Sequence, residues 1–344
     1  MKILLLQLKR IGDLVLTTPA IRCLREAFPD ARLALVADSA CASLLSCIDV
    51  DERWIYHKRG GARGLAGWGQ NAWLRHGLLA FRPHWTLDFT GSDRSAYLSA
   101  LSRSPRRVTF QRFQKKPLRR LIYTDFIKSS VVERHTADHY TDLLAAMGVE
   151  RDNVPSNLRL HERILATTRA RIANAGVTGP YAVVHAGTAR PEKYWMADRW
   201  AKVIQFLKGK HGLATVLTGS QDRREREHLS EIKSYLGSEC IDLSGATDLP
   251  GLAAAIEGAK LFCGVDTAAM HLADAVKTPS VALFGPTNPY HWRPRHTPSV
   301  VLRAQTPPPF TPRQEGGSMR EITVESVIEA VQKLLNEGRV TGDA

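Results

Sequence analysis

The feature that most constrains the fold is a regular alternation. Short β-branched or Leu-rich runs trade places with longer amphipathic stretches. In the first half, "KILLLQL" (2–8), "RLALVA" (32–37) and "WTLDFT" (85–90) predict strands, while "AIRCLREAF" (20–28) and "HYTDLLAAMG" (139–148) predict helices. A polar, irregular stretch, "VERDNVPSNLRLHE" (149–162), interrupts the pattern, which then restarts. Strands are predicted at "YAVVHAG" (181–187), "LATVLTGS" (213–220), "CIDLSG" (240–245), "KLFCGVD" (260–266) and "SVALFG" (280–285). Helices are predicted between them, over 197–212, 222–236, 249–258 and 267–276. A Pro-rich coil (298–312) leads to a last amphipathic helix, "VESVIEAVQKLLNEG" (324–338).

Such alternation gives an α/β fold with parallel strands and crossover helices. A chain of 344 residues is too long for one typical core. Two Rossmann-like domains are expected, over 1–165 and 175–320, followed by a terminal helix and tail over 321–344. Ligands of open parallel sheets bind outside the carboxyl ends of the strands. The informative residues should therefore lie just after strands.

Several do. In "LKRIGDLVLTTPAI" (8–21), Gly12 and Asp13 follow the first strand. Asp13 reads as a helix cap or as chemistry. Pro19 suits the first turn of a helix, which would leave Asp13 in the connection before it. In "VDTAAMHLADA" (265–275), Asp266 and Thr267 open a helix of small residues. Free N–H groups there, with the Thr267 hydroxyl, make an anion site, and small residues such as Ala268 allow close approach. Asp266 reads equally as a cap, and His271, one turn in, as a packed residue.

"HAGTARPEKYW" (185–195) offers Gly187, Thr188, Arg190 and Lys193, what a departing diphosphate needs if no metal neutralises it, though an ordinary charged loop has the same composition. The P-loop spacing is absent. The turns after two further strands, at Gly219 and at Ser244 to Thr247, let a base or ribose approach the backbone. "LFGPTNPYHWRP" (283–294) is rigid, and is either a pocket wall or a structural crossover. No HExxH, GxSxG or EF-hand pattern occurs, so neither a metal site nor a serine nucleophile is expected.

Charge narrows the partners. The net charge is +13, and residues 1–150 carry 23 Lys and Arg against 14 Asp and Glu. The densest run, "RSPRRVTFQRFQKKPLRR" (103–120), has eight basic residues and no acid. It is either a solvated surface or a site for an anionic partner: nucleic acid, lipid or a phosphorylated substrate. Helix-turn-helix, RNP and zinc-finger patterns are missing, so no nucleic-acid partner is expected. The apolar run "ILLLQL" is too short for a signal sequence and is broken by Lys9 and Arg10, which predicts a cytoplasmic protein. Five scattered cysteines fit neither a disulfide framework nor a zinc site.

"GDLVLTTPAI", "HAGTARPEKYW", "LTGS", "LSGATDLPGLAAAI" and "GVDTAAMHLADAVKTPSVALFGPTNPYHWRP", in that order, resemble glycosyltransferase family 9, the ADP-heptose:lipopolysaccharide heptosyltransferases. The resemblance runs to about residue 335. It is specific in the second half and at residues 12–19, and loose from 40 to 160. The Trp-Arg-Pro run looks most like the heptosyltransferase III group.

The resemblance implies a GT-B fold, with two Rossmann-like domains facing across a central cleft and the last helix returning to the first domain. It implies an inverting, metal-independent transfer with no cofactor. The donor, ADP-heptose, would sit on the second domain. The acceptor, a lipopolysaccharide inner-core sugar, would sit on the first, with peripheral contact to the anionic inner face of the bacterial inner membrane through the basic run. Asp13 matches the family's catalytic base. Thr188 and Lys193 match residues at the donor phosphates, with Gly187 beside them and Gly12 beside Asp13. Asp266 matches the acid that binds the donor heptose. Thr267 and Ala268 match the phosphate-binding turn, with His271 beside it. Gly219 and the Ser244–Thr247 turn would flank adenosine. Two alternatives stay open: a relative using another nucleotide sugar or envelope glycan, and a non-catalytic ADP-sugar binder.

Overall fold

The computed structural model describes residues 1–58, 71–237, 240–304 and 308–340, with side chains to 336. The chain divides into two compact units, Met1–Arg159 and Leu160–Ala344.

The first unit is a six-stranded, all-parallel sheet. Its strands are β1 (Lys2–Gln7), β2 (Arg32–Asp38), β3 (Glu52–Tyr56), β4 (Trp85–Asp88), β5 (Arg106–Phe110) and β6 (Asp125–Ile127), in the order β3-β2-β1-β4-β5-β6. The central strand β1 is buried from Ile3 onward, which is why its sequence is a continuous apolar run rather than an alternating one. Leu4 and Leu6 of β1 pack with Val36, Trp54, Leu78 and Phe81 in one core cluster.

The second unit repeats this plan. Its strands are β7 (Tyr181–His185), β8 (Ala214–Leu217), β9 (Cys240–Asp242), β10 (Leu261–Val265), β11 (Ser280–Phe284) and β12 (Ser299–Arg303), in the order β12-β11-β10-β7-β8-β9, again all parallel. Helices Ala197–His211 and Val324–Val340 pack on each other. The last helix, for which a return to the first domain is expected, buries Val327, Ala330, Val331 and Leu334 in this unit's core. Trp195 and Trp200 meet edge to face at 4.9 Å, and the Trp195 indole donates to the Ile322 carbonyl at 2.9 Å, which fixes the segment leading into that helix.

Three local expectations need correction. The Pro-rich coil contains a strand, β12, which pairs with β11 through five residues. Its Ser-Val-Val-Leu-Arg sequence is a good strand, but prolines on both sides masked it. The predicted helix over 139–148 is an α-helix only over Thr136–Thr141 and then tightens into a 3-10 helix, Asp142–Met147, ending at Gly148 in the left-handed region. Helix Glu162–Asn174 packs on helix Leu249–Glu257 and belongs to the second unit, which thus begins before residue 175.

Strand order reverses between β1 and β4 in one sheet and between β7 and β10 in the other. At such a switch point the two flanking connections leave in opposite directions and open a crevice. The segments that follow β1, β4, β7 and β10 are therefore where a ligand finds room, and they contain Asp13, Lys193 and Asp266.

Candidate active site

In the second unit the crevice is organised by a buried ion pair. Lys193 ends a 3-10 turn, Pro191–Lys193, after β7, and Asp266 directly follows β10. The Lys193 ammonium donates to Asp266 Oδ2 at 2.5 Å and to the Asp266 carbonyl at 3.2 Å. Both side chains are nearly enclosed, 10% and 7% exposed. Thr287, in the loop after β11, donates to the same Oδ2 at 2.7 Å. An ammonium has three N–H donors. Two are engaged among the described residues.

Thr267 follows. Its backbone is extended (φ −142°, ψ 178°) and it is the N-cap of helix Ala268–Ala275, yet its side chain makes no capping hydrogen bond. Its hydroxyl oxygen is buried and has no partner among the described residues. A buried hydroxyl left unpaired is uncommon and marks a place where a ligand completes the bonding. Ala268 begins the helix, and His271, buried, lies 6.2 Å from the Trp292 ring. The Pro-rich loop after β11 is thus a wall of this site: it supplies Thr287 and Trp292.

The glycines of this unit have a specific reason. Glu225, in helix Arg223–Ser234, is buried, and its Oε2 accepts from Ser220 N at 2.7 Å. A Cβ on Gly187 would fall 2.6 Å from that oxygen, and one on Gly219 would fall 3.4 Å from it and 2.8 Å from Leu229 Cδ1. The Glu225 carboxylate fills the space beside Gly187 and a Leu229 methyl fills that beside Gly219, so a side chain at either strand end requires one of them to shift. His185, at the end of β7, sits 2.9 Å from the Thr218 hydroxyl, and burial pushes its imidazole pKa down. Thr188 is buried, and its hydroxyl accepts from Arg190 N at 3.3 Å. Arg190 itself, expected to lend charge to a ligand, turns to Glu192 at the surface. Gly245 has φ +66°, and the Ser244 amide donates to Asp242 at 2.9 Å, which holds the Ser244–Thr247 turn in shape.

In the first unit the sequence after β1 forms a short helix, Ile11–Val15, and a second, Thr18–Ala27, with Pro19 in its first turn. Gly12 and Asp13 lie in the short helix, and Asp13 caps neither helix. Its Oδ1 instead accepts a close hydrogen bond from the phenol of Tyr140. Lys9 donates to that phenol oxygen at 3.0 Å and lies 3.9 Å from Asp13 Oδ1. Burial, with the Asp13 charge beside it, holds the Tyr140 phenol well above its ordinary pKa, so it remains a donor. Burial lowers the Lys9 pKa, opposed by Asp13. The carboxylate is held at one oxygen, with its side chain 14% exposed.

The neighbouring switch-point strand ends in Asp88. It is fully buried, accepts from Thr90 N and Gly91 N at 2.8 and 2.9 Å, and takes the Tyr123 hydroxyl on its other oxygen. Burial raises its pKa despite these bonds. Asp88 builds the turn that Gly91 (φ +66°) completes.

The basic run 103–120 does not face outward as a whole. Arg106 pairs with Asp125, Arg107 donates to the Ile122 and Ser104 carbonyls, and Arg119 is buried on Ser92 O and Asp93. Arg103, Lys115, Lys116 and Arg120 remain exposed. Beside them lies a cavity of about 1280 Å³, lined by six basic side chains, among them Arg112, Lys115 and Arg120, and by four acids, Glu133, Asp142, Glu150 and Asp152.

Two switch-point crevices, one with a buried lysine beside a helix N-terminus, narrow the class of protein. A sequence model of glycosyltransferase family 9 (heptosyltransferase) matches residues 74–316. The chain belongs to this family. It is a glycosyltransferase with the GT-B fold. It is 26% identical to lipopolysaccharide heptosyltransferase 3 of Escherichia coli, over 96% of this chain and 97% of that protein. Among solved structures it resembles a family 9 glycosyltransferase from Veillonella parvula (TM-score 0.84, 24% identity, covering 98% of this chain and 97% of the other). It also resembles an E. coli heptosyltransferase solved with ADP (TM-score 0.78, 21% identity, covering 97% and 100%).

Tyr140 and Thr287 are the contacts that the sequence did not point to. Tyr140 lies 127 positions from Asp13, and only the fold brings them together. Thr287 stood in the loop singled out for its rigidity, and the Gly-Pro-Thr turn after a buried strand was the available signal.

Proposed function

We propose that the chain transfers heptose from ADP-heptose to an inner-core sugar of lipopolysaccharide, by inversion and without a metal. The observation that carries this reading is the partnerless Thr267 hydroxyl beside the Lys193–Asp266 pair. A diphosphate seated on the N-terminus of helix Ala268–Ala275 would take the hydroxyl, the helix amides and the third Lys193 N–H. Those groups hold the charge that grows on the leaving ADP. Thr188 and Gly187 stand beside the phosphates, Asp266 holds the heptose hydroxyls with His271 near, and Gly219 with the Ser244–Thr247 turn flanks adenosine.

The first unit supplies the base. An acceptor hydroxyl loses its proton to Asp13 as its oxygen bonds to the heptose anomeric carbon and the bond to the ADP oxygen breaks. One Asp13 oxygen is held by Tyr140, which leaves the other for the acceptor. The cations of the first unit's cavity suit the phosphates of the inner core. The enzyme works at the cytoplasmic face of the inner membrane. Among the described residues no helix is long and apolar enough to cross a membrane, so attachment would be peripheral.

A transfer assay with ADP-heptose and a set of truncated core oligosaccharides tests donor, acceptor and chemistry together. Activity is expected to persist in chelator. Asp13→Asn should keep ADP-heptose affinity and lose on the order of 10²-fold or more in turnover. Near-parent turnover in that variant removes Asp13 as the base. A strict divalent-metal requirement removes the metal-free leaving group, and no transfer to any core removes the substrate assignment.

A further inference from the structure

Helix Pro117–Ile122 is built inside out. An ordinary surface helix buries its apolar stripe and exposes its charges. Here Arg119 is 2% exposed, with its guanidinium donating to Ser92 O at 2.7 Å and to Asp93 at 2.5 Å. Leu118 and Leu121, three positions apart and so neighbours on the helix surface, are 65% and 80% exposed. The buried arginine fixes the roll of the helix, and that roll points the leucines at solvent.

The surroundings are rigid and basic. Phe113 packs where a Cβ on Gly91 would stand, which pins the preceding 3-10 turn, Gln111–Lys115. Arg120 donates to Gln114 O at 2.9 Å, and Arg107 donates to Ile122 O at the other end of the helix. Lys115, Lys116 and Arg120 are exposed around the leucines, and residues 103–120 contain no acid. Asp93 and Asp125 pair with Arg119 and Arg106, Asp142 and Asp152 pair with Arg134, and Glu133 and Glu150 line the cavity that Lys115 and Arg120 also line.

We propose that this face docks on an anionic lipid bilayer. Leu118 and Leu121 enter the boundary between headgroups and acyl chains, while Lys115, Lys116 and Arg120 contact lipid phosphates. Apolar side chains ringed by cations are the chemistry of interfacial binding. A second copy of the chain is disfavoured as occupant, because a two-fold contact would set Lys115, Lys116 and Arg120 against their own copies. The inference rests on the acceptor being a membrane glycolipid, and it names the surface that brings the enzyme to it.

The test uses the full chain and vesicles free of any lipopolysaccharide. Parent protein should sediment with vesicles of phosphatidylglycerol and phosphatidylethanolamine, and not with phosphatidylcholine alone. Leu118→Gln with Leu121→Gln should weaken that binding at least about tenfold, with ADP affinity and transfer to a soluble core oligosaccharide unchanged. Lys115→Gln with Lys116→Gln should weaken it too, with a shallower salt dependence. The difference emission of a Leu121→Trp variant should shift to the blue on anionic vesicles. Parent-like binding by the leucine variant, or an unmoved Leu121→Trp emission, overturns the proposal. A dimer of the parent that the leucine variant loses overturns it in favour of self-association. Vesicle binding by a protein that transfers no heptose would leave the docking face standing and remove the transferase reading, so the two fail separately.

Discussion

Replacing Lys193 by methionine keeps the length of the side chain and removes its charge. Asp266 then stands 7% exposed with Thr287 as its remaining side-chain partner. Breaking a buried pair from one side costs about 3–5 kcal/mol, because a charge is left without its counter-ion. Thr287 still donates to Oδ2, so the lower end applies, about 3 kcal/mol. For a unit of this size that is a fall of about 6–12 °C in the midpoint of its thermal transition. Removing the carboxylate as well, in Lys193→Met with Asp266→Leu, should return most of the loss, since an apolar pair replaces an ionic one at little cost. The binding of ADP should behave differently. It should fall about tenfold or more in the single variant and stay low in the double, because the cation that meets the phosphates is gone in both. Calorimetric melts and titration calorimetry with ADP on the four proteins of the cycle provide both readings. A coupling energy under about 0.5 kcal/mol would show that the pair is not the anchor of this crevice. ADP affinity that recovers together with stability would show that Lys193 acts only by holding Asp266.

Tyr140→Phe removes the phenol that holds Asp13 Oδ1, while its ring still packs edge to face on Phe89. Turnover should fall about tenfold with donor KM little changed; a matched fall in donor affinity would contradict the separation of the two half-sites. His139 makes the first unit acid-labile. Burial, reinforced by Arg112, Lys9 and Arg134, pulls its pKa from 6.5 down to about 3. The folded state therefore keeps the ring neutral while the unfolded chain binds a proton below pH 6.5, so stability falls as pH drops through 6.5 toward 3. Between pH 7 and pH 5 the loss is about 2 kcal/mol, and urea melts of His139→Gln should show that much less pH dependence.

Much of this was legible in the sequence because it is local. Strand cores such as Leu261–Val265 are continuous apolar runs, and a polar pair such as Asp266-Thr267 at the strand's end stands out as a candidate, although position alone left it equally a helix cap. What was not legible depends on distance or context. Tyr140 reaches Asp13 only because helix Thr136–Thr141 packs on helix Thr18–Ala27. β12 hid among prolines because proline content is averaged over a window, while a strand needs only five residues. The inverted helix at Pro117–Ile122 defeated the amphipathic pattern altogether. Its basic letters promised a uniformly charged surface, and the structure spends Arg119 on the interior.

The packing of Glu225 on Gly187 and of Leu229 on Gly219 has a consequence for how this chain can change. Gly187 can gain a methyl group only if the Glu225 carboxylate withdraws, and the carboxylate can withdraw only if the Ser220 amide finds another acceptor; at Gly219 the atom in the way is Leu229 Cδ1. Positions 187 and 225, on separate elements, are thus tied into a single unit of variation, and positions 219 and 229 into another. Sequence drift in this half of the chain should find each pair changing together or not at all. Attempts to reshape these strand ends should begin with a shorter residue at 225 to free position 187 and with a shorter residue at 229 to free position 219.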